Sequence, residues 1–476
     1  MSKPSSALRR TALPLATLTA ALWLAGCSFI PSLERPAAPV AAQFPAVAAD
    51  APAPSSARSA ADLAWQGFFQ DPRLQRLIAL ALDNNRDLRV AALNIEQTRA
   101  KLQVARADQL PTVNAGITGS RGPATSGAIT SSYSAGLNVT AYELDFFGRV
   151  RALGQAAQSQ LLATQEARKT VQISLIAAVA NAYLGLLADD ELLRLTRETL
   201  QTRQESLRLT QLKYDHEAAS QLDLSSAQSL LEAAKATLAQ QTRQRAQDEN
   251  ALVLLLGQPL PADLPAGRDM AQQGLVADLP SGVPSELLVR RPDVRQAEHN
   301  LLALNANIGA ARAAFFPKIT LTASAGVASN DLEQLFNNGT SAWSFVPQLL
   351  MPLFDAGRNQ ANLEAAKLNR DIAVAQYEKA IQTGFREVAD ALAGRATLGE
   401  QLRAQAAQLQ AEKTRMDLTA LRFQAGTASA FERLDAQRSL FSAQQSLVQV
   451  QLAQQQNLVT LYKVLGGGWS DDATSQ

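Results

Sequence analysis

The chain is written twice. Gly148-Arg149 returns as Gly357-Arg358, an offset of 209, and Ala219-Ser220 and Leu256-Gly257 return at the same offset as Ala428-Ser429 and Leu465-Gly466. Leu110-Pro111 returns as Phe316-Pro317 at an offset of 206, and the difference of three fits a shorter loop in the first copy. A repeat of this length dictates two equivalent supersecondary modules.

Each copy carries the same heptads. Leu186, Leu193, Leu200, Leu207 and Tyr214 stand seven apart, and Leu402, Leu409, Met416 and Phe423 occupy the equivalent places. A second set, Leu231, Leu238 and Leu252 interrupted by Arg245, is matched by Leu440, Leu447 and Leu461 interrupted by Gln454. Such spacing puts one apolar seam on each helix and favours coiled-coil packing, and the many Ala neighbours let helices approach closely.

Both copies read helix, two strands, long helix, shorter helix. In the first, a helix over about 72–109 stops at Pro111. Residues 112–120 and 133–141 alternate apolar and polar, with Arg121-Gly122-Pro123 and a Ser/Thr/Gly stretch between them as loop. In the second, Ile319, Leu321, Ala323, Ala325 and Val327 alternate with polar neighbours, and Trp343, Phe345, Leu349 and Met351 share one parity. The expected strands cover about 112–121, 132–143, 318–328 and 341–354. Residues 148–213 and 357–422 would each make a helix of roughly 100 Å at 1.5 Å per residue. The shorter helices 72–109 and 220–256, and 285–316 and 429–465, match that length when stacked in pairs.

Ribbons of about ten residues with one apolar face suit a membrane-spanning barrel, apolar to lipid and polar to the lumen. Four strands cannot close one, because known barrels use about eight or more. Open edges in lipid would leave backbone groups unpaired. Several chains must therefore pool strands, and three copies would give twelve.

The N-terminus is a targeting segment. Lys3, Arg9 and Arg10 precede an apolar run over 11–25 that is too short to span a bilayer, ending in Leu24-Ala25-Gly26-Cys27. No later segment has 18 consecutive apolar residues. Cys27 is the sole cysteine, which excludes an internal disulfide or a cysteine metal cluster. Residues 28–60, rich in Pro, Ala and Ser, read as an extended tether, and the Pro/Gly-rich 258–284 as a linker between copies. The domain organisation is thus signal peptide 1–26, anchored tether 27–60, first repeat 61–257, linker 258–284, second repeat 285–468 and tail 469–476.

Basic and acidic residues number 44 and 43, so no basic surplus exists to neutralise nucleic-acid phosphates. No phosphate loop, GxSxG elbow or HExxH motif occurs, and the two histidines, His216 and His299, lack metal-ligand spacing. The chain reads as a passive protein, not an enzyme, with no cofactor and no metal. Trp343 and Tyr133 are candidates for membrane-interface positions. Arg290-Arg291-Pro292-Asp293 is a helix-start device, with Pro in the first turn and Asp beside it.

Leu24-Ala25-Gly26-Cys27 resembles the lipobox of bacterial lipoproteins, which implies cleavage before Cys27 and an N-acyl, S-diacylglycerol modification there; Ser28 after it favours the outer membrane. Across essentially the whole mature chain the sequence resembles the TolC-type outer-membrane efflux channels, specifically NodT-like lipoproteins of resistance-nodulation-division pumps. The resemblance rests on Leu287 to Glu298, which contains Arg290, Arg291, Pro292 and Asp293, and on Ala311 to Ile319 with Pro317. Leu353-Phe354-Asp355-Ala356-Gly357-Arg358 and the closing Leu465-Gly466-Gly467-Gly468-Trp469 also match. It implies a mainly α fold with a β-barrel part: a homotrimer with a twelve-strand barrel, four strands per chain, over a coiled-coil tunnel in the periplasm. It implies a periplasmic adaptor and an inner-membrane transporter as partners.

Two hairpin tips follow. Arg422-Phe423-Gln424-Ala425-Gly426-Thr427-Ala428-Ser429 fits the family's tip pattern: Gly426 supplies a positive φ and Ser429 can cap the returning helix. In Tyr214 to Ser220, Glu217 stands where Gly is expected, which leaves the first turn open. The resemblance assigns Tyr214, Glu217, Ser220, Phe423, Gly426 and Ser429 to adaptor contact. It makes Asp417, with Arg415 and Glu412, the candidate gate, where a threefold ring of like charge would select cations. Two other functions fit the same architecture less well: an exit duct for type I protein secretion, and a coiled-coil structural lipoprotein without a pore.

Overall fold

The computed structural model describes residues 28–44, 62–276, 279, 290–337 and 339–469. Cys27, the signal peptide, residues 45–60 of the tether, part of the linker and the tail after Trp469 lie outside the described residues. Each copy holds the expected elements. The first has α1 (Pro72–Asn84), α2 (Arg86–Ala107), β1 (Val113–Pro123), β2 (Ile129–Glu143), α3 (Arg149–Asp215) and α4 (Gln221–Leu256). The second has α5 (Pro292–Ala313), β3 (Lys318–Ser329), β4 (Ser341–Leu350), α6 (Arg358–Gln424) and α7 (Ala430–Val464). Both long helices contain 67 residues, and their bounds differ by the 209 of the repeat.

The chain forms two compact units, and both long helices contribute to each. The first holds residues 94–165 and 296–378 with the N-terminal stretch to Ala37. Its centre is one antiparallel sheet in the order β1-β2-β3-β4. The register makes its two faces unlike. Rows Val113-Val139-Ala323-Phe345 and Ala115-Leu137-Ala325-Trp343 lie on one face; Asn114-Asn138-Ser324-Ser344 lies on the other. On the polar face Thr118 meets Ser134 at 2.6 Å and Ser324 meets Ser344 at 2.8 Å. Between them runs the row Gly116-Gly136-Gly326, where a Cβ on Gly136 would lie 2.4 Å from the carbonyl oxygen of Ala325. On the apolar face Ile117, Trp343 and Phe345 are exposed.

Residues 28–35 do not trail freely as the tether reading expects. Phe29 stacks on Phe316 at 4.6 Å, the Asn305 side chain donates to the carbonyl of Pro31, and Arg35 pairs with Glu298.

The second unit holds residues 38–93, 166–295 and 379–476. Its core joins Leu74, Leu77 and Ile78 of α1 to Ile176 and Leu184 of α3, Leu252 and Leu256 of α4, and Leu461 and Tyr462 of α7. Phe68 stacks face to face on Tyr462 at 4.1 Å. By length and composition α3 could cross a membrane, but much of its apolar stretch is buried in this core.

Several boundaries differ from the sequence reading, among them the end of the helix expected over 285–316, which stops at Ala313. The helix expected over 72–109 breaks at Asn85, whose side chain accepts from the Leu88 N–H and donates to the carbonyl of Leu255. β1 runs on through Arg121-Gly122-Pro123, because Ile129 to Ser131 pair with them. β4 stops at Leu350, just short of Pro352, which has no N–H to donate.

Candidate functional site: hairpin tips and flanking charges

The tips are two copies of one turn. After α6, Gly426 takes φ +74°, its N–H bonds the Phe423 carbonyl, and the Thr427 N–H bonds the Arg422 carbonyl at 2.8 Å. After α3, Glu217 takes φ +58°, its N–H bonds the Tyr214 carbonyl, and the Ala218 N–H bonds the Lys213 carbonyl at 2.7 Å. The Glu does not alter the turn; it occupies the left-handed region at a steric cost of roughly 1–2 kcal/mol. Each returning helix opens with a capping box. Ser220 accepts from the Asp223 N–H and Ser429 from the Glu432 N–H, both at 3.1 Å, and the acids accept from the Ser N–H in return.

Around the second tip, cations collect on aromatic rings. The Lys213 ammonium lies 4.5 Å and the Arg433 guanidinium 4.3 Å from the Phe423 ring centre, while Arg203 sits 5.4 Å from that of Phe441. Arg433 also donates to Ser206 Oγ at 2.6 Å.

Of the three gate candidates, Arg415 and Glu412 are brought together and Asp417 is not. Arg415 pairs with Glu412 at 2.8 Å and reaches Asp435 of α7 at 3.2 Å, and Asp435 pairs with Arg438 at 2.5 Å. Asp417 is exposed and makes no hydrogen bond or ion pair among the described residues. The network is therefore Glu412-Arg415-Asp435-Arg438. Its α7 half was missed in the sequence, although the three-residue spacing of Asp435 and Arg438 signals a helix pair.

Arg291 is 7% exposed, pairs with Asp293 at 2.6 Å and Glu387 of α6 at 2.7 Å, and donates to the Val464 carbonyl. Arg290 pairs with Asp62, and Pro292 is the first residue of α5. Pro317 leads into β3, Gly357 takes φ +85°, and Arg358 starts α6.

Sequence reading also missed a buried acid pair. Asp189 of α3 faces Asp248 of α4, and burial and that neighbour push the Asp189 carboxyl up to about 7. Its Oδ2 has no N–H donor, and a proton held by the pair supplies the missing bond. Beside it Arg245 pairs with Asp190 at 2.5 Å and Glu249 at 2.6 Å. The second copy has Leu398 and Asn457 at the equivalent places.

No group of His, Cys, Asp and Glu suited to a metal ion occurs among the described residues. The geometry offers helix ends, capped turns and surface charges rather than a catalytic centre.

Comparison with known proteins fits this picture. The family model of the outer membrane efflux protein matches residues 77–258 and 283–467. The probable efflux pump outer membrane protein TtgC of Pseudomonas putida is 49% identical over 462 residues, covering 96% of this chain and 95% of the relative. Outer membrane protein OprJ of Pseudomonas aeruginosa is 43% identical, with 98% of each covered. The open state of the MtrE outer membrane channel of Neisseria gonorrhoeae superposes with a TM-score of 0.85 at 41% identity, over 94% of this chain and 100% of that one. The chain belongs to the outer membrane efflux protein family, the TolC-type channels that its motifs resemble.

Proposed function

We propose that three copies of this chain form the passive outer-membrane exit duct of a tripartite efflux system for drugs, solvents or other small molecules. The observation that carries the reading is the four-stranded sheet: one face apolar and exposed, one face polar, and its outer strands β1 and β4 each paired on a single side. In lipid those edges need partners, and three sheets closed edge to edge supply them. The polar rows then line the lumen. Relatives named for toluene, solvent and antibiotic efflux support small molecules as cargo over secreted proteins.

In this reading Cys27 carries the acyl groups that anchor the N-terminus in the outer membrane. The capped tips around Phe423, Gly426 and Ser429, and Tyr214, Glu217 and Ser220, meet a periplasmic adaptor, and an inner-membrane resistance-nodulation-division transporter supplies the energy. Asp417 remains the gate candidate, since it is exposed and unpaired among the described residues, with Arg415 two and Glu412 five residues before it on α6.

The test pairs two assays. A deletion strain should become sensitive to solvents or antibiotics and still secrete its large proteins, and the purified protein should conduct ions in planar bilayers. Lost secretion with unchanged drug sensitivity supports the protein-export duct instead; absent conductance leaves a structural lipoprotein.

A further inference from the structure

In the second unit, α3, α6 and α7 enclose a cleft of about 190 Å³. α3 lines it with Leu195, Thr202 and Arg203, α6 with Met416, and α7 with Gln437 and Phe441. The lining thus joins apolar and aromatic groups to a cation, a hydroxyl and an amide.

The cation has no counter-charge. Arg203 is 5% exposed and belongs to no ion pair among the described residues. Its Nη1 donates to the Leu230 carbonyl at 2.8 Å, its guanidinium lies against the Phe441 ring, and its Nε has no acceptor. One turn before Gln437, Arg433 also lacks a carboxylate: it donates to Ser206, and its Nε finds no acceptor. Burial pulls both guanidiniums below their ordinary value, and no carboxylate pushes them back up. The acid at the rim, Glu198, is engaged by Arg194 at 2.6 Å. Gln437 is a second orphan, since its Oε1 receives no donor. A cation taken out of water without an opposite charge is costly, and arginine cannot escape by losing its proton. The packing of the module does not demand cations here, because Glu412 and Leu224 stand at the repeat equivalents of Arg203 and Arg433.

We propose that this cleft binds a small aromatic carboxylate. The carboxylate takes the free edge of the Arg203 guanidinium and supplies the missing charge. The Gln437 amide, turned over, offers its NH2 to the same group. The ring packs among Leu195, Met416 and Phe441. A cavity of about 150 Å³ already holds a benzene ring, so the volume suits one ring and one carboxylate. A bare inorganic anion would answer the charge but leave the apolar lining wet; a neutral arene would do the reverse. Once bound, the ligand bridges α3, α6 and α7. The site lies within one chain and needs no second subunit.

The probe is para-fluorobenzoate, followed by fluorine NMR with the full-length protein in detergent and with empty micelles as the blank. Its resonance should broaden saturably with protein. Benzoate should displace it, while benzyl alcohol and sulfate at equal concentrations should not. Arg203→Gln should weaken binding by about tenfold or more, the worth of one charge-assisted hydrogen bond. Because that change alters a buried contact, Gln437→Glu serves as the second variant. It keeps Arg203, supplies a carboxylate from within, and should lower probe binding by a similar factor while raising the melting temperature. Undiminished binding in Q437E, or full displacement by sulfate or by benzyl alcohol, overturns the proposal. So does a probe that broadens no more with protein than with empty micelles.

Discussion

Glu217 and Gly426 hold the same left-handed conformation, at φ +58° and +74°, in turns closed by equivalent hydrogen bonds. Only one of them is free of a Cβ. Glu217→Gly removes that crowding and should raise stability by about 1 kcal/mol, offset in part by the greater freedom of glycine in the unfolded chain. Gly426→Glu should do the reverse. Thermal unfolding of the detergent-solubilised protein reads both shifts, and equal melting temperatures for the two variants would contradict the strain assigned to Glu217.

The Asp189–Asp248 pair makes the first copy sensitive to pH. In the unfolded chain Asp189 returns to its ordinary value of 3.8, whereas in the fold it stays protonated up to about 7. The folded state therefore binds the proton more tightly, and stability falls as pH rises from about 4 to about 7. Asp189→Asn keeps the hydrogen bond without the titration, so its melting temperature should vary less across that window. An unaltered pH profile in the variant would show that the pair does not carry the proton.

Arg291 ties the start of α5 to α6 and to the end of α7. Arg291→Met leaves two carboxylates and the Val464 carbonyl without their donor. A cost of about 2 kcal/mol is expected, below the ~3–5 of a fully buried pair because Asp293 and Glu387 keep partial access to water. Lysine should not restore it, since one ammonium cannot reproduce the guanidinium fork. Chemical denaturation of R291M and R291K checks this; full recovery in R291K would refute the geometric role.

Asp417 is unpaired among the described residues, and in the proposed trimer a threefold ring would gather three such charges at the tunnel mouth. Asp417→Ala should weaken cation selectivity in single-channel recordings while leaving expression unchanged. Conductance and selectivity equal to wild type would remove Asp417 from the gate.

Much of this architecture was legible because the repeat reports itself twice. The alternation of Val113, Ala115 and Ile117 against Asn114 and Thr118 reads directly as a two-faced strand, and Ser220 and Ser429 announce their helices. What was hidden depends on contacts between distant residues. Asn85 breaks a helix by bonding Leu255, 170 residues away, and local propensity cannot see such a partner. Arg291 reads as part of a helix start, yet its burial depends on Glu387 and Val464. Asp189 looks like any helix acid until α4 brings Asp248 against it. Arg415 and Glu412 pair as their three-residue spacing suggests, but the further reach of Arg415 to Asp435 depends on α7 lying beside α6.

On the proposed trimer, this sheet does not seal itself in lipid and borrows its neighbours' edges. Native mass spectrometry of the acylated protein released from detergent tests it most directly. A particle of three acylated chains is expected after release from the micelle. A stable single chain, with Trp343 and Phe345 protected from lipid-phase labelling, would contradict it.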